Sequence, residues 1–114
     1  MARRPFLVAA LLAALLSSAC ETKRQQPGAA VIEGEWIYDN NCAECHENPQ
    51  PDLHKQPPNL HGLFLRKSLP SGALATDSQV RMTIIQGKGT MPAFDQRLRE
   101  EDLKNLLAYL RTLR

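Results

Sequence analysis

Aromatic side chains are scarce: one Trp, two Tyr and three Phe make up 5% of 114 residues. One domain at most fits in this length, and a core of such size is marginal unless a further buried body completes it. An excess of charge of one sign is also missing. The formal net charge is +2, yet Arg3 and Arg4 lie in an N-terminal leader, and the twelve basic and twelve acidic side chains beyond residue 19 cancel. That balance argues against a nucleic-acid partner. No apolar run is long enough for a permanent transmembrane helix, since the stretch 6–16 has eleven residues where a span needs about 20. Cysteine is limited to Cys20, Cys42 and Cys45.

What is present is Cys42-Ala43-Glu44-Cys45-His46. A Cys-x-x-Cys-His run is the attachment pattern of a c-type haem. Two thiols three positions apart can add to the two vinyl groups on one porphyrin edge, and the next residue then lies beneath the ring, its Nε2 within reach of the iron. A thioredoxin-like redox pair would need a βαβ context, which the chain lacks. Half of a zinc site would need a second Cys pair or a His-x₃₋₅-His, and neither follows. A simple disulfide remains a further alternative. A covalently held macrocycle would also supply the missing buried surface.

The leader supports an exported location. Arg3 and Arg4 form a basic n-region, residues 6–16 an apolar core, and Ser17-Ser18-Ala19 a small-residue cleavage stretch, the anatomy of a signal peptide over 1–19. A twin-arginine signal ranks second. Leu16-Ser17-Ser18-Ala19-Cys20 looks like a bacterial lipobox, which would make Cys20 a lipidated N-terminus; the alternative is ordinary cleavage nearby with an incidental thiol. The polar segment 20–31 reads as a flexible tether, and the domain proper as 32–114.

Further along, 31–41 is expected to be a short helix in which Gly34 and Tyr38 share a face. Trp36 reads as packing or interfacial, with electron entry as a lesser alternative. Residues 47–56 should be irregular. Pro58 keeps a rigidly placed carbonyl that can accept from a ligating imidazole, with Leu60, Leu63 and Phe64 lining the ring. His54 and His61 are rival ligands in principle, though a lone His more often serves at the surface. Thr76 to Gln79 has the form of a capping box opening a helix that stops at Gly87, with Met82 semi-exposed on it. In Gly87-Lys88-Gly89-Thr90-Met91-Pro92, the glycines let backbone lie against a flat ring. The Met91 thioether is a soft donor for low-spin iron, 45 residues from His46, and a Met/His pair raises the reduction potential. Gap-filling is the plainer role for such a Met. Residues 99–114 are an amphipathic helix with Leu103, Leu106, Leu110 and Leu113 on one face; Leu106 and Tyr109 should meet Gly34 and Tyr38.

From about residue 32 to 114 the chain resembles class I c-type cytochromes, on Gly34 and Tyr38, 42–46, 58–64, Met91-Pro92, and Leu106 with Tyr109. The 58–64 segment is similar to the mitochondrial type. Leu65 replaces a usual glycine, the segment before Met91 is shorter, and Arg99 stands where a Ser or Thr cap is common. The resemblance implies an all-α fold of about three to five short helices around one covalent haem c, a His46–iron–Met91 axis, the Pro58 carbonyl on His46, and Arg66 as a propionate partner. It points to a one-electron carrier working between redox partner proteins, not an enzyme; the leader places that carrier in the periplasm, and lipidation within the lipobox-like run would attach it to a membrane through Cys20. A dedicated cytochrome subunit of a periplasmic dehydrogenase or oxidase is the first alternative, and a haem sensor or peroxidase with a loose Met91 the second.

Overall fold

A computed structural model describes residues 26–114; the leader, Cys20 and the first part of the tether lie outside the described residues. Four α-helices follow one another: α1 (Pro27–Asn41), α2 (Ala43–His46), α3 (Asp77–Gln86) and α4 (Glu100–Leu110), with a 3₁₀ turn at Leu63–Leu65. Among the described residues there is no strand, only isolated bridges joining Ser68 to Leu74 and Lys88 to Met91.

α1 begins four residues earlier than the sequence pattern suggests. Pro27 opens it, where a missing N–H is no loss and the fixed φ already suits the helix; residues 27–31, expected in the tether, are therefore helical. At the other end the Asn40 and Asn41 side chains turn back onto the carbonyls of Trp36 and Ile37, at 2.7 and 2.8 Å. The Thr76 hydroxyl accepts from the Gln79 amide at 3.3 Å, which caps α3 as expected, and Gly87 closes the helix at φ 70°.

α4 has an unusual start and an early stop. Arg99 has no oxygen with which to cap a helix, so the capping runs the other way: the Asp102 carboxylate accepts from the Arg99 backbone amide at 2.9 Å and from its guanidinium at 3.0 Å. The helix ends at Leu110, short of the expected 114. There the Thr112 amide and hydroxyl both return to the Tyr109 carbonyl, at 2.8 and 2.7 Å, freeing the last residues for another task.

The crossing of α1 and α4 is the frame on which the rest hangs. Tyr38 and Leu106 are fully buried within it, and the Tyr38 and Tyr109 rings meet at 5.3 Å, tilted by 52°. Gly34 lies so close that a Cβ there would be 2.0 Å from the Asn105 carbonyl oxygen and 2.7 Å from Tyr109 Cβ. The Asn105 backbone thus joins the expected Tyr109 opposite Gly34, with the buried Leu106 in the same crossing. Leu103, Leu107 and Leu110 extend the buried face of α4 towards Val80 and Ile84 of α3. Each such side chain contributes about 1.5–3 kcal/mol on burial.

Candidate functional site

Cys42, Cys45 and His46 share one tight turn. Cys42 follows α1 directly, its amide donating to the Tyr38 carbonyl at 2.8 Å. Its own carbonyl accepts from the amides of Cys45 at 3.1 Å and His46 at 3.0 Å. The α1–α4 crossing therefore fixes where the two thiols stand. Both are free rather than bridged, Cys42 half-buried and Cys45 exposed. Burial, assisted by the neighbouring Cys45 sulfur, pushes the Cys42 thiol up to about 11. Among the described residues no group of three or more His, Cys, Asp or Glu is placed to hold a metal ion, so the zinc alternative finds no ligand set there.

The half-buried His46 has its Nδ1 2.7 Å from the Pro58 carbonyl oxygen. A carbonyl can only accept, so Nδ1 carries the proton and donates, and the Nε2 lone pair is left for another acceptor of electron density. The Pro58 carbonyl is itself held. Asn59 Oδ1 accepts from the His61 amide at 2.7 Å, and the Arg66 guanidinium donates to the carbonyls of Asn59 and His61 at 2.7 and 2.9 Å. The freed C-terminal residues complete the clasp: the Gly62 amide donates to the Leu113 carbonyl at 2.9 Å, and His61 Nδ1 lies 3.2 Å from the Arg114 main-chain oxygen. Arg66, for which the resemblance implies a propionate contact, braces this loop through those two carbonyls.

Leu60 and Phe64 are partly buried against the core. The Arg111 guanidinium lies 4.4 Å from the centre of the Phe64 ring and pairs with Asp77 of α3. The sequence assigns neither Asn59, within the 58–64 segment, nor Arg111, a last-turn cation of the C-terminal helix, a role at the site. The Asn59-x-x-Gly62 turn pattern could have pointed to the first; nothing local pointed to the second, which depends on α4 ending where it does. His61 is exposed and turned to the C-terminus and to Glu47, 3.8 Å away. His54 is exposed too.

Met91 projects from a tight turn in which Lys88 and Met91 exchange backbone bonds at 3.1 and 3.0 Å. Gly87 makes that turn possible. A Cβ at Gly87 would meet the Met91 carbonyl oxygen at 2.5 Å and Pro92 and Ala93 backbone atoms within 2.8 Å, at a φ of +70° that L side chains rarely adopt. On the far side the Phe94 amide donates to the Ile84 carbonyl at 3.1 Å, so the segment is tied down at both ends. Met91 is half-buried.

These residues fit a flat, covalently attached macrocycle. Two free thiols stand one turn apart, an imidazole has its tautomer set by a main-chain acceptor, and a thioether sits on a stiff turn whose glycine brings backbone close. Apolar Leu60 and Phe64 pack beside the core on the loop that carries Pro58.

A family profile described as cytochrome c oxidase, cbb3-type, subunit III matches residues 29–110. A cbb3-type cytochrome c oxidase subunit CcoP of Azospirillum brasilense is 38% identical over 98 residues, which covers 80% of this chain and 31% of that one. A cytochrome c of Nigella damascena is 43% identical over 44 residues, 39% of this chain and 40% of its own. The chain thus spans well under half the length of these two relatives. A cytochrome c6 of Diacronema lutheri is 28% identical over 70% of this chain and 92% of its own. The solved cytochrome c6 of the diatom Phaeodactylum tricornutum superposes with a TM-score of 0.51 at 34% identity, covering 70% of this chain and 88% of that one.

Proposed function

The chain belongs to the class I c-type cytochromes and carries one covalent haem c, and on that premise we propose that Cys42 and Cys45 form the thioether links and His46 and Met91 the two axial ligands. The supporting observation is the 2.7 Å contact from His46 Nδ1 to the Pro58 carbonyl, which leaves Nε2 as the only donor atom of that ring. Haem supplies a metal that exchanges one electron reversibly. The residues around it hold its geometry: Pro58 keeps the imidazole oriented, Gly87 and Pro92 stiffen the thioether, and Leu60 with Phe64 excludes water. Held by His46 and Met91, the iron would offer no open position for substrate chemistry, and the stiff segments carrying both residues would keep reorganisation low. A haem held by Cys42 and Cys45 would exchange its electron at the edge beside them, through small transient contacts with donor and acceptor proteins.

The chain is a cytochrome c-type electron carrier; we place its work in the periplasm, after cleavage of the 1–19 leader, with Cys20 lipidated and the segment before α1 as a leash to the membrane. The dedicated-subunit reading gains support from the match to the cbb3-type subunit profile over 29–110. Purification under mild detergent separates the two: a free carrier elutes alone, and a subunit travels with a large oxidase.

The test of the site is spectroscopic. With the haem attached, Met91→Ala is expected to turn a low-spin spectrum high-spin in the ferric state and to open the ferrous protein to carbon monoxide. An unchanged spectrum removes Met91 from the iron. Rapid CO binding by the wild type at neutral pH favours the sensor reading.

A further inference from the structure

α1 turns only one face to the core. Gly34, Ile37 and Tyr38 are buried, whereas Ile32 and Trp36, one helical turn apart on the other side, are 66% and 64% exposed. With Glu33 they line a shallow depression of about 370 Å³. An indole has a large apolar body that is better covered than wet, and among the described residues nothing covers this one.

The surroundings carry one sign of charge. Residues 26–54 include Glu33, Glu35, Asp39, Glu44, Glu47 and Asp52, and no Lys or Arg. Glu33 and Asp39 stand three positions before and after Trp36, hence on either side of it, and Glu35 and Asp39 are like charges at i, i+4. Among the described residues, the ion pairs with Lys or Arg use other carboxylates. The uncompensated field reaches Tyr109: burial raises its phenol, and Glu35, Asp39 and Glu47 raise it further. α1 leads directly into Cys42, so Trp36, six residues earlier, lies within about two helical turns of the residue assigned to haem attachment.

We infer that the Ile32–Trp36 face of α1 is the docking surface for a redox partner protein presenting an apolar contact ringed by Lys and Arg. This rests on the electron-carrier reading. An apolar centre inside a charged rim is the anatomy of a specific contact, and a single-signed rim steers encounter and sets register while leaving the complex short-lived. The same carboxylates repel an anionic lipid surface.

Tris(phenanthroline)cobalt(III) serves as probe, a tripositive ion with an apolar rim; hexacyanoferrate(III), trinegative and polar, is its counterpart. In each reaction one electron passes from the reduced haem-loaded full chain to the metal complex, cobalt(III) becoming cobalt(II) or iron(III) iron(II), and no proton moves. The cobalt rate is expected to fall with added salt. The combined variant Glu33→Gln, Glu35→Gln, Asp39→Asn should lower it about tenfold at low salt, the lower end of electrostatic steering, and flatten its salt dependence. Titrating the same cobalt cation into oxidised protein, where no electron can move, should shift the Trp36 indole N–H and the α1 amides in NMR spectra. Equal rates in variant and wild type, shifts confined to α3 and α4, or a homodimer that buries Trp36 in sedimentation would each overturn the docking surface alone. If neither oxidant reacts, the electron-carrier reading itself fails.

Discussion

Gly34→Ala isolates the contact that positions the haem-attachment turn. The added Cβ would stand 2.0 Å from the Asn105 carbonyl oxygen and 2.7 Å from its carbon, whereas a carbon–oxygen contact settles near about 3.3 Å. The shortfall of about 1.3 Å falls on helix backbone, which has no rotamer to escape into, so α1 must back away from α4. Overpacking costs about 1–3 kcal/mol, and a backbone collision belongs at the upper end. The exchange of Gly for Ala returns about 1 kcal/mol of helix propensity. The net loss is about 2 kcal/mol, or roughly 8–16 °C in Tm for a domain of this size. Gly28 in the same helix is the control, because a Cβ there meets nothing within 4 Å; Gly28→Ala should hold or gain stability. The assay is thermal unfolding of haem-loaded protein followed by circular dichroism. Equal Tm values for the two variants would refute the close-approach argument.

Other outcomes follow from single contacts. Tyr38 is fully buried and its hydroxyl donates to Glu47 Oε1 at 3.0 Å; Tyr38→Phe should cost about 1 kcal/mol in guanidinium unfolding without altering the haem spectrum. Thr76→Ala removes the α3 cap and should cost about 1 kcal/mol by the same measurement. Gly87→Ala forces a strained φ and a 2.5 Å approach to the Met91 carbonyl, so the ferric spectrum should lose low-spin character while the covalent haem stays attached. Asp102 is held below the usual carboxylate range by the Arg99 guanidinium and then by the Arg99 amide. A carboxyl depressed in the folded state stabilises above its unfolded value, about 3.9, and that stability is lost as pH falls through the folded value. The wild type should therefore be the more stable of the pair at neutral pH, and its advantage over Asp102→Asn should begin to shrink just below about pH 3.9, with the two acid-unfolding curves converging as pH falls further.

Local chemistry made much of the architecture readable. The Thr76 cap, the Gly87 stop and the leucine face of α4 each depend on a few neighbouring residues, and each stands where its pattern indicated. The His46–Pro58 contact was legible because only a carbonyl is available on a proline backbone. What escaped depended on distant parts of the chain. One miss was local as well: α1 reaches back to Pro27, whose fixed φ suits a helix start, through a turn that composition alone read as tether. The Asn105 carbonyl stands nearest Gly34, together with the expected Tyr109, because helices that approach this closely meet through backbone that no side-chain pattern displays. Arg66 braces the Asn59 and His61 carbonyls, and Arg111 covers Phe64 because α4 stops at Leu110 and turns its C-terminal residues towards the 58–64 loop.

The central claim is that one electron is gained and lost at a haem clamped between His46 and Met91. Spectroelectrochemical titration of the haem-loaded wild type beside Met91→His tests it most directly. A single reversible one-electron wave is expected in both proteins, with a lower midpoint potential once the thioether is replaced by imidazole. A midpoint that does not move on that replacement, or a chain that takes up no covalent haem, would contradict it.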